Sequence, residues 1–278
     1  MAKITPNKLK VIAAIQARLG STRLPGKVLK KIAGKTMVER IFERLKTCQE
    51  LDEVALAIPD NKGNALLTEY AKKAGIPYCR GSEKDLIARH YKTAKYFRAD
   101  ALVRITADCP LVEPAIVDAM VGIFRQHPDK FDFLTNNRVN SFPHGLEIEI
   151  FPIKTLEWLD REVKNPLHRE WLSCYIFEQP KKFRIYNFKS KANLSEQRWT
   201  IDYPEDLKFV REIFKALGRH NRIFHMDEVV RFLKDNPHVA AINAIRKEKA
   251  VIGGVRSREY YQLKNKIGHA RLLSKLSF

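Results

Sequence analysis

The stretch Ala17-Arg18-Leu19-Gly20-Ser21-Thr22-Arg23-Leu24-Pro25-Gly26-Lys27 sets two arginines and a lysine among small and turn-forming residues. Cations at this density suit a polyphosphate: side chains neutralise its charge while backbone N–H groups line one side. The stretch follows Val11-Ile12-Ala13-Ala14-Ile15, which reads as a buried strand. A loop leaving the C-terminal end of such a strand sits where α/β sheets bind ligands. The pattern points to a nucleoside triphosphate. Two carboxylates could complete the chemistry. Asp108, in Thr106-Ala107-Asp108-Cys109-Pro110, and Asp202, just before Tyr203-Pro204, both stand at expected strand exits. Mg²⁺ prefers one or two carboxylates plus phosphate oxygens and water. Held there, it would polarise an α-phosphate. As single residues, both aspartates read equally well as turn formers or helix caps.

Gly20 to Lys27 is not a P-loop. That motif needs four residues between its glycines and a hydroxyl after the lysine, whereas five residues separate Gly20 from Gly26 and Val28 follows Lys27. There is no G-x-S-x-G elbow, and no Cys/His pair is suggested by spacing. Transfer of a phosphorus group by positioning and charge neutralisation needs neither. The expected reaction is a direct in-line displacement, with Lys27 and Arg23 on the β,γ-phosphates and Arg18 supporting the triphosphate or base.

The elements that must position these groups alternate. Strands are expected at 11–15, 53–58, 78–80 and 101–105, and helices at 36–48, 64–74, 83–97 and 114–126. Met37, Val38, Ile41, Phe42 and Leu45 share one helical face. Such alternation implies βαβ units and a mostly parallel sheet. After Pro128 the rhythm changes. Strands are expected at 131–135, 146–150 (period two, one face solvated), 183–188 and 199–202. Helices are expected at 153–161, 167–178, 205–217 and 226–235. Residues 1–245 read as one domain with an inserted α+β lobe near 136–196, and 246–278 as a basic tail.

The formal net charge is +19, from 51 basic and 32 acidic residues. It fits nucleic acid, small anionic substrates or a lineage rich in Lys and Arg. The tail carries nine Lys/Arg and two Glu, so contact with nucleic acid is expected only there. No apolar run approaches the roughly 20 residues of a membrane span, and the N-terminus lacks a signal-peptide core. Cys48, Cys79, Cys109 and Cys174 are far apart and form no C-x-x-C pair. A reduced, cytoplasmic protein is expected.

The loop from Ala17 to Lys27 resembles the signature of the CMP-sugar synthetase (cytidylyltransferase) superfamily. Four later blocks resemble its spore coat polysaccharide protein F (SpsF) branch: Arg80-Gly81-Ser82-Glu83-x-Asp85-x-x-x-Arg89, Arg104-Ile105-Thr106-Ala107-Asp108-Cys109-Pro110-Leu111, Phe142-Pro143-x-Gly145-Leu146-Glu147-x-Glu149 and Arg198-Trp199-Thr200-x-Asp202-x-Pro204-Glu205-Asp206. They recur in the family's order across roughly residues 10–215. The resemblance implies a Rossmann-like nucleotidyltransferase fold with helices on both faces of a mixed sheet. It implies transfer of CMP from CTP to a hydroxylated, anionic acceptor, with pyrophosphate released, in glycan assembly. It matches Asp108 and Asp202 to the family's metal-binding aspartates. It turns the backbone near Ala17 and Arg18, with Gly20, Ser21 and the Arg80-Gly81-Ser82 segment, toward the nucleotide, Arg80 meeting cytosine. The acceptor would lie in the 136–196 lobe, through which relatives often dimerise. Leu167-His168-Arg169-Glu170 departs from the branch's Arg-Glu-His run, and Ile58-Pro59-Asp60-Asn61 from its Thr/Ser-rich turn. The competing class is a non-catalytic module holding nucleotide or RNA on the same fold. The paired aspartates separate the two, since without a metal they repel polyphosphate.

Overall fold

A computed structural model of the chain describes residues 8–246. The expected basic tail lies outside the described residues except for Arg246, which donates to Glu205 at 3.1 Å and sits 4.1 Å over the Tyr203 ring. In chain order the elements begin with β1 (Val11–Gln16), the small hairpin β2 (Lys31–Ile32) and β3 (Lys35–Thr36), and α1 (Met37–Leu45). Next come β4 (Glu53–Pro59), α2 (Ala65–Lys73), β5 (Tyr78–Gly81), α3 (Leu86–Tyr96), β6 (Ala101–Thr106) and α4 (Pro114–Gln126). The second half holds β7 (Phe133–Thr135), β8 (Glu149–Pro152), α5 (Ile153–Glu162), α6 (Pro166–Glu170), α7 (Cys174–Glu178), β9 (Ile185–Asn187), α8 (Pro204–Leu217), α9 (Met226–Asp235) and α10 (Pro237–Ala240).

Seven strands form one sheet in the order β5-β4-β1-β6-β8-β7-β9. β5, β4, β1 and β6 run parallel, β8 is antiparallel to both β6 and β7, and β9 is parallel to β7. β1 is buried on both faces, so its apolar run reads as continuous and not alternating. Val11, Ala13 and Ile15 pack on one face with α1, α4 and α8. Ile12 and Ala14 pack on the other with α3, α5 and α7. The chain order reverses at β1, with β4 on one side and β6 on the other. In parallel sheets that switch point opens a crevice at the strand C-termini, where Ala17–Lys27 and Asp108 follow.

Helix starts are written locally. Thr36 and Glu39 form a capping box on α1. Pro114 and Pro204 occupy the first turns of α4 and α8, where their missing N–H costs nothing.

Three expectations change. Residues 199–202 are extended but lie outside the sheet. Their backbone bonds go to loops, Trp199 N–H to the His144 carbonyl at 2.6 Å and Ile201 N–H to the Asp108 carbonyl at 2.8 Å. Residues 146–150 do not form a strand with one wet face: β8 starts only at Glu149, and Glu149 is 3% exposed. The single helix over 167–178 breaks at 171–173 into α6 and α7, where Leu172 is buried in the core and Ser173 bonds Glu149. Residues 136–196 supply β8 and β9 to the central sheet. Among the described residues no helix is long and apolar enough to cross a membrane.

Candidate active site

The loop after β1 folds mainly on itself. Ser21 and Gly26 donate backbone N–H to the Leu19 carbonyl, Lys27 N–H to the Leu24 carbonyl, and Leu19 N–H to Asn64 Oδ1. Leu24 and Val28 are buried and anchor it. With these N–H groups occupied, charge on a ligand falls largely to side chains, unlike a P-loop.

Lys27 is the centre of the site. Its Nζ donates to Asp108 Oδ2 at 2.8 Å, to Asp202 Oδ1 at 3.0 Å and to the Ile201 carbonyl at 2.9 Å. Asp108 comes from the turn after β6 and Asp202 from the segment entering α8, 94 positions apart in numbering. Burial pulls the Lys27 pKa down, but Asp108 and Asp202 outweigh it and hold it above its ordinary 10.5. Arg23 Nη2 also reaches Asp202 Oδ1, at 2.7 Å, with its guanidinium 5.3 Å from the Tyr203 ring centroid.

Behind this lies a second, drier cluster. Arg198 Nη2 donates to Asp202 Oδ2 and Asp206 Oδ2, each at 3.0 Å, and Nε to Asp206 Oδ1 at 3.0 Å. These side chains are 3%, 1% and 0% exposed. Asp206 also accepts the backbone N–H groups of Asp202 and Tyr203, at 2.9 and 3.0 Å. Asp202 is thus held from behind by a paired charge and faces Lys27 in front. Gly145 (φ +112°) fixes the neighbouring turn: a Cβ there would stand 2.6 Å from Thr200 N, so only glycine allows the close approach.

The cleft has a volume of about 370 Å³. Arg18, Gly20, Ser21, Arg23, Lys27, Asp108 and Asp202 all line it. Ala17 is buried beneath, its N–H donated to the Ala57 carbonyl at 3.3 Å. The Arg80-Gly81-Ser82 segment is not among its lining residues. Strand alternation buries Cys79 and Gly81 and turns Arg80 outward, where it donates to the Asp60 carbonyl at 2.5 Å and borders a separate hollow with Tyr78 and Tyr96. Ser82 Oγ accepts the Asp85 N–H near the start of α3. Gly81 makes room for Arg89, whose Cγ would lie 2.9 Å from an added Cβ. Burial, then the charges of Arg18 and Arg104, pull the Arg89 pKa down to about 10.

On the opposite wall, the stretches Asn136-Asn137-Arg138 and His144-Gly145-Leu146-Glu147 were expected to offer polar groups to the acceptor, and Asn137 and Glu147 do line the cleft; the pairing of Arg104 with Glu149 was not expected. Arg104 joins Glu149 Oε2 at 2.6 Å and Gln16 Oε1 at 2.8 Å, while Ser173 Oγ donates to Glu149 Oε1 at 2.7 Å. Glu147 accepts the Gly145 N–H at 2.8 Å and pairs with His144. One signal was available: Arg104 interrupts a buried apolar strand, and a cation there must have a partner.

A family model described as cytidylyltransferase matches residues 12–234. The chain belongs to the cytidylyltransferase family. A solved cytidylyltransferase from Leptospira borgpetersenii is 32% identical, with a TM-score of 0.80 over 87% of this chain and 99% of that one. The spore coat polysaccharide biosynthesis protein SpsF of Bacillus subtilis is 24% identical over 83% of this chain and 96% of its own. The 8-amino-3,8-dideoxy-manno-octulosonate cytidylyltransferase of Shewanella frigidimarina is 28% identical over 76% of this chain and 73% of its own. This cytidylyltransferase is of the CMP-sugar synthetase type, with the Rossmann-like nucleotidyltransferase fold.

Proposed function

We propose that this cytidylyltransferase is Mg²⁺-dependent and transfers CMP from CTP to a hydroxyl of a sugar acid or related acceptor, releasing pyrophosphate, for surface glycan assembly in the cytoplasm. The observation that carries this reading is the meeting of Asp108 and Asp202 on one cation, Lys27 Nζ, at 2.8 and 3.0 Å. Two oxygen donors that already converge on a positive charge fit a hard divalent ion. Asp108 and Asp202 would hold it. Bound there, Mg²⁺ supplies charge stabilisation to the α-phosphate and the attacking oxygen.

The chain's own groups do the rest. Arg23 and Lys27 take the β,γ-phosphates, exchanging carboxylate partners for phosphate oxygens, and Arg18 supports the triphosphate. Arg198 and Asp206 keep Asp202 aimed, through its Oδ2 and its backbone N–H. Arg104 offers a guanidinium to the acceptor side, where Glu149, Ser173 and Asn137 can orient hydroxyls. Because Arg80 faces outward, selection of cytosine falls to groups beside Arg18 at the cleft edge. Association as a homodimer through 136–196 belongs to the same reading, and light scattering tests it.

The test is pyrophosphate release from CTP and Mg²⁺ across a panel of sugar acids, with UTP and GTP alongside. Turnover specific to CTP and dependent on Mg²⁺ is the expected result. Salt-sensitive RNA binding with no turnover on any acceptor, or a preference for UTP or GTP, would overturn the reading.

A further inference from the structure

His168 lies outside the nucleotidyl-transfer chemistry, yet its surroundings are specific. His168 on α6 and Cys174 and Glu178 on α7 bring a nitrogen, a sulfur and a carboxylate oxygen within 4.8 Å of one another. His168 Nε2 stands 3.0 Å from Glu178 Oε2, and Cys174 Sγ 3.4 Å from Glu178 Oε1. Cys174 is buried, and the His168 and Glu178 side chains are 13% and 17% exposed. We propose that these three side chains form a binding site for zinc, a structural ion that staples α6 to α7.

The donor set selects the ion. Mg²⁺ and Ca²⁺ take oxygen ligands, whereas a mixed imidazole, thiolate and carboxylate set suits borderline zinc. Distances agree. Zinc bonds of about 2.0–2.3 Å in a tetrahedron place neighbouring ligand atoms roughly 3.4–3.6 Å apart. His168 Nε2 and Cys174 Sγ approach different oxygens of Glu178, at 3.0 and 3.4 Å, and the donors lie within 4.8 Å of one another, so seating the ion requires side-chain rotation that turns one donor atom of each residue inward. Cys174 and Glu178 are one helical turn apart and share a face. The His168 ring is held edge-on by Tyr175, with centroids 5.4 Å apart. Three protein ligands leave a fourth position for water.

The fold has a use for such a staple. α6 and α7 have five residues each, too few to hold helical shape alone. Between them, 171–173 present Trp171 and Ser173 to the cleft, and Ser173 holds Glu149. Tying His168 to Cys174 and Glu178 fixes both ends of that break. Binding is a proton exchange without redox change. The Cys174 S–H bond breaks, its proton leaves to solvent, and the thiolate pair forms the S–Zn bond.

The experiment uses the full chain, stripped with chelator, re-dialysed with Zn²⁺ in excess Mg²⁺ to mask Asp108 and Asp202, and analysed for bound metal. About one zinc per chain is expected. Co²⁺ in its place should show a near-ultraviolet sulfur-to-cobalt charge-transfer band. Cys174→Ser should abolish the band, and both Cys174→Ser and His168→Gln should weaken zinc binding by at least the roughly 10–100-fold seen when mere supporting partners are lost. Cys48→Ser should change neither readout. Zinc absent from the native chain, undiminished zinc in both ligand variants, or a cobalt spectrum without the sulfur band would overturn the proposal. Should a variant fail to fold, stoichiometry and the cobalt spectrum of the native chain decide. Neither depends on CTP turnover, so failure here is distinct from failure of the proposed activity.

Discussion

Asp202 belongs to two clusters that share a charge pattern and differ in wetness. Toward α8, Arg198 and Asp206 are 3% and 0% exposed; Arg198 bonds both Asp202 and Asp206, and Asp206 also accepts two backbone N–H groups and Asn243 Nδ2. Toward the cleft, Lys27 and Asp108 are 12% and 21% exposed, and Arg23 is 36% exposed. A dry ion pair cannot exchange partners without leaving a charge stranded. A pair at a cleft wall can, because water or a ligand replaces what is lost. The first cluster is therefore scaffold and the second, under the proposed function, machinery, although one aspartate serves both.

The sharpest way to break that distinction is Arg198→Ala. It takes the buried cation from Asp206 and leaves Asp202 only its cleft partners Lys27 and Arg23, and should cost about 3–5 kcal/mol of stability, read by denaturant unfolding. A loss under about 1 kcal/mol, the scale of an exposed pair, would erase the difference between the clusters. Lys27→Ala comes next. Turnover should fall roughly 10²–10³-fold, as for loss of one transition-state charge donor, with the fold retained by circular dichroism. Near-normal activity would refute its role.

Alkaline pH refines the comparison further. The Lys27 pKa is raised in the folded state above 10.5. Its stabilisation is fully present below the unfolded value and lost as pH climbs through the folded one. The stability gap between native chain and Lys27→Met should therefore stay flat from about pH 7 to 9 and narrow only above the ordinary lysine range. Narrowing near neutrality would contradict the pairing. The smallest effect is expected for Arg80→Ala, since that side chain faces away from the cleft: kcat/KM for CTP should stay within about twofold, an energy difference below 0.5 kcal/mol.

The same contrast governs how far the sequence could be read. The cationic loop was legible because Arg18, Arg23 and Lys27 lie on one connection after an unmistakable buried strand. Asp108 was legible as a strand-exit carboxylate; Asp202 was singled out on the same ground although 199–202 lie outside the sheet, and only packing brings the two onto one lysine. Arg198 was quoted within its block, but its partnership with Asp206 needs the first turn of α8 to form. Glu149 was misread because a period-two pattern assigns an acidic residue to water, whereas Arg104 and Ser173 take it inside. The break at 171–173 had no local signal: the stretch holds neither Gly nor Pro, and tertiary contacts override its helical tendency. Arg80, expected at the nucleotide, stands one step of strand alternation from the buried face, which turns its side chain outward.

The contact between Gly145 and Thr200 carries a consequence for synthesis. A ribosome that has released the chain only as far as α4 has already made the cationic loop and Asp108, together with the four parallel strands. The second carboxylate arrives more than 70 residues later, and it stays unaimed until α8 emerges with Asp206. Under the proposed function, catalytic competence is thus gained only once Asp206 has emerged, so a product terminated before it would carry the cradle but not the chemistry.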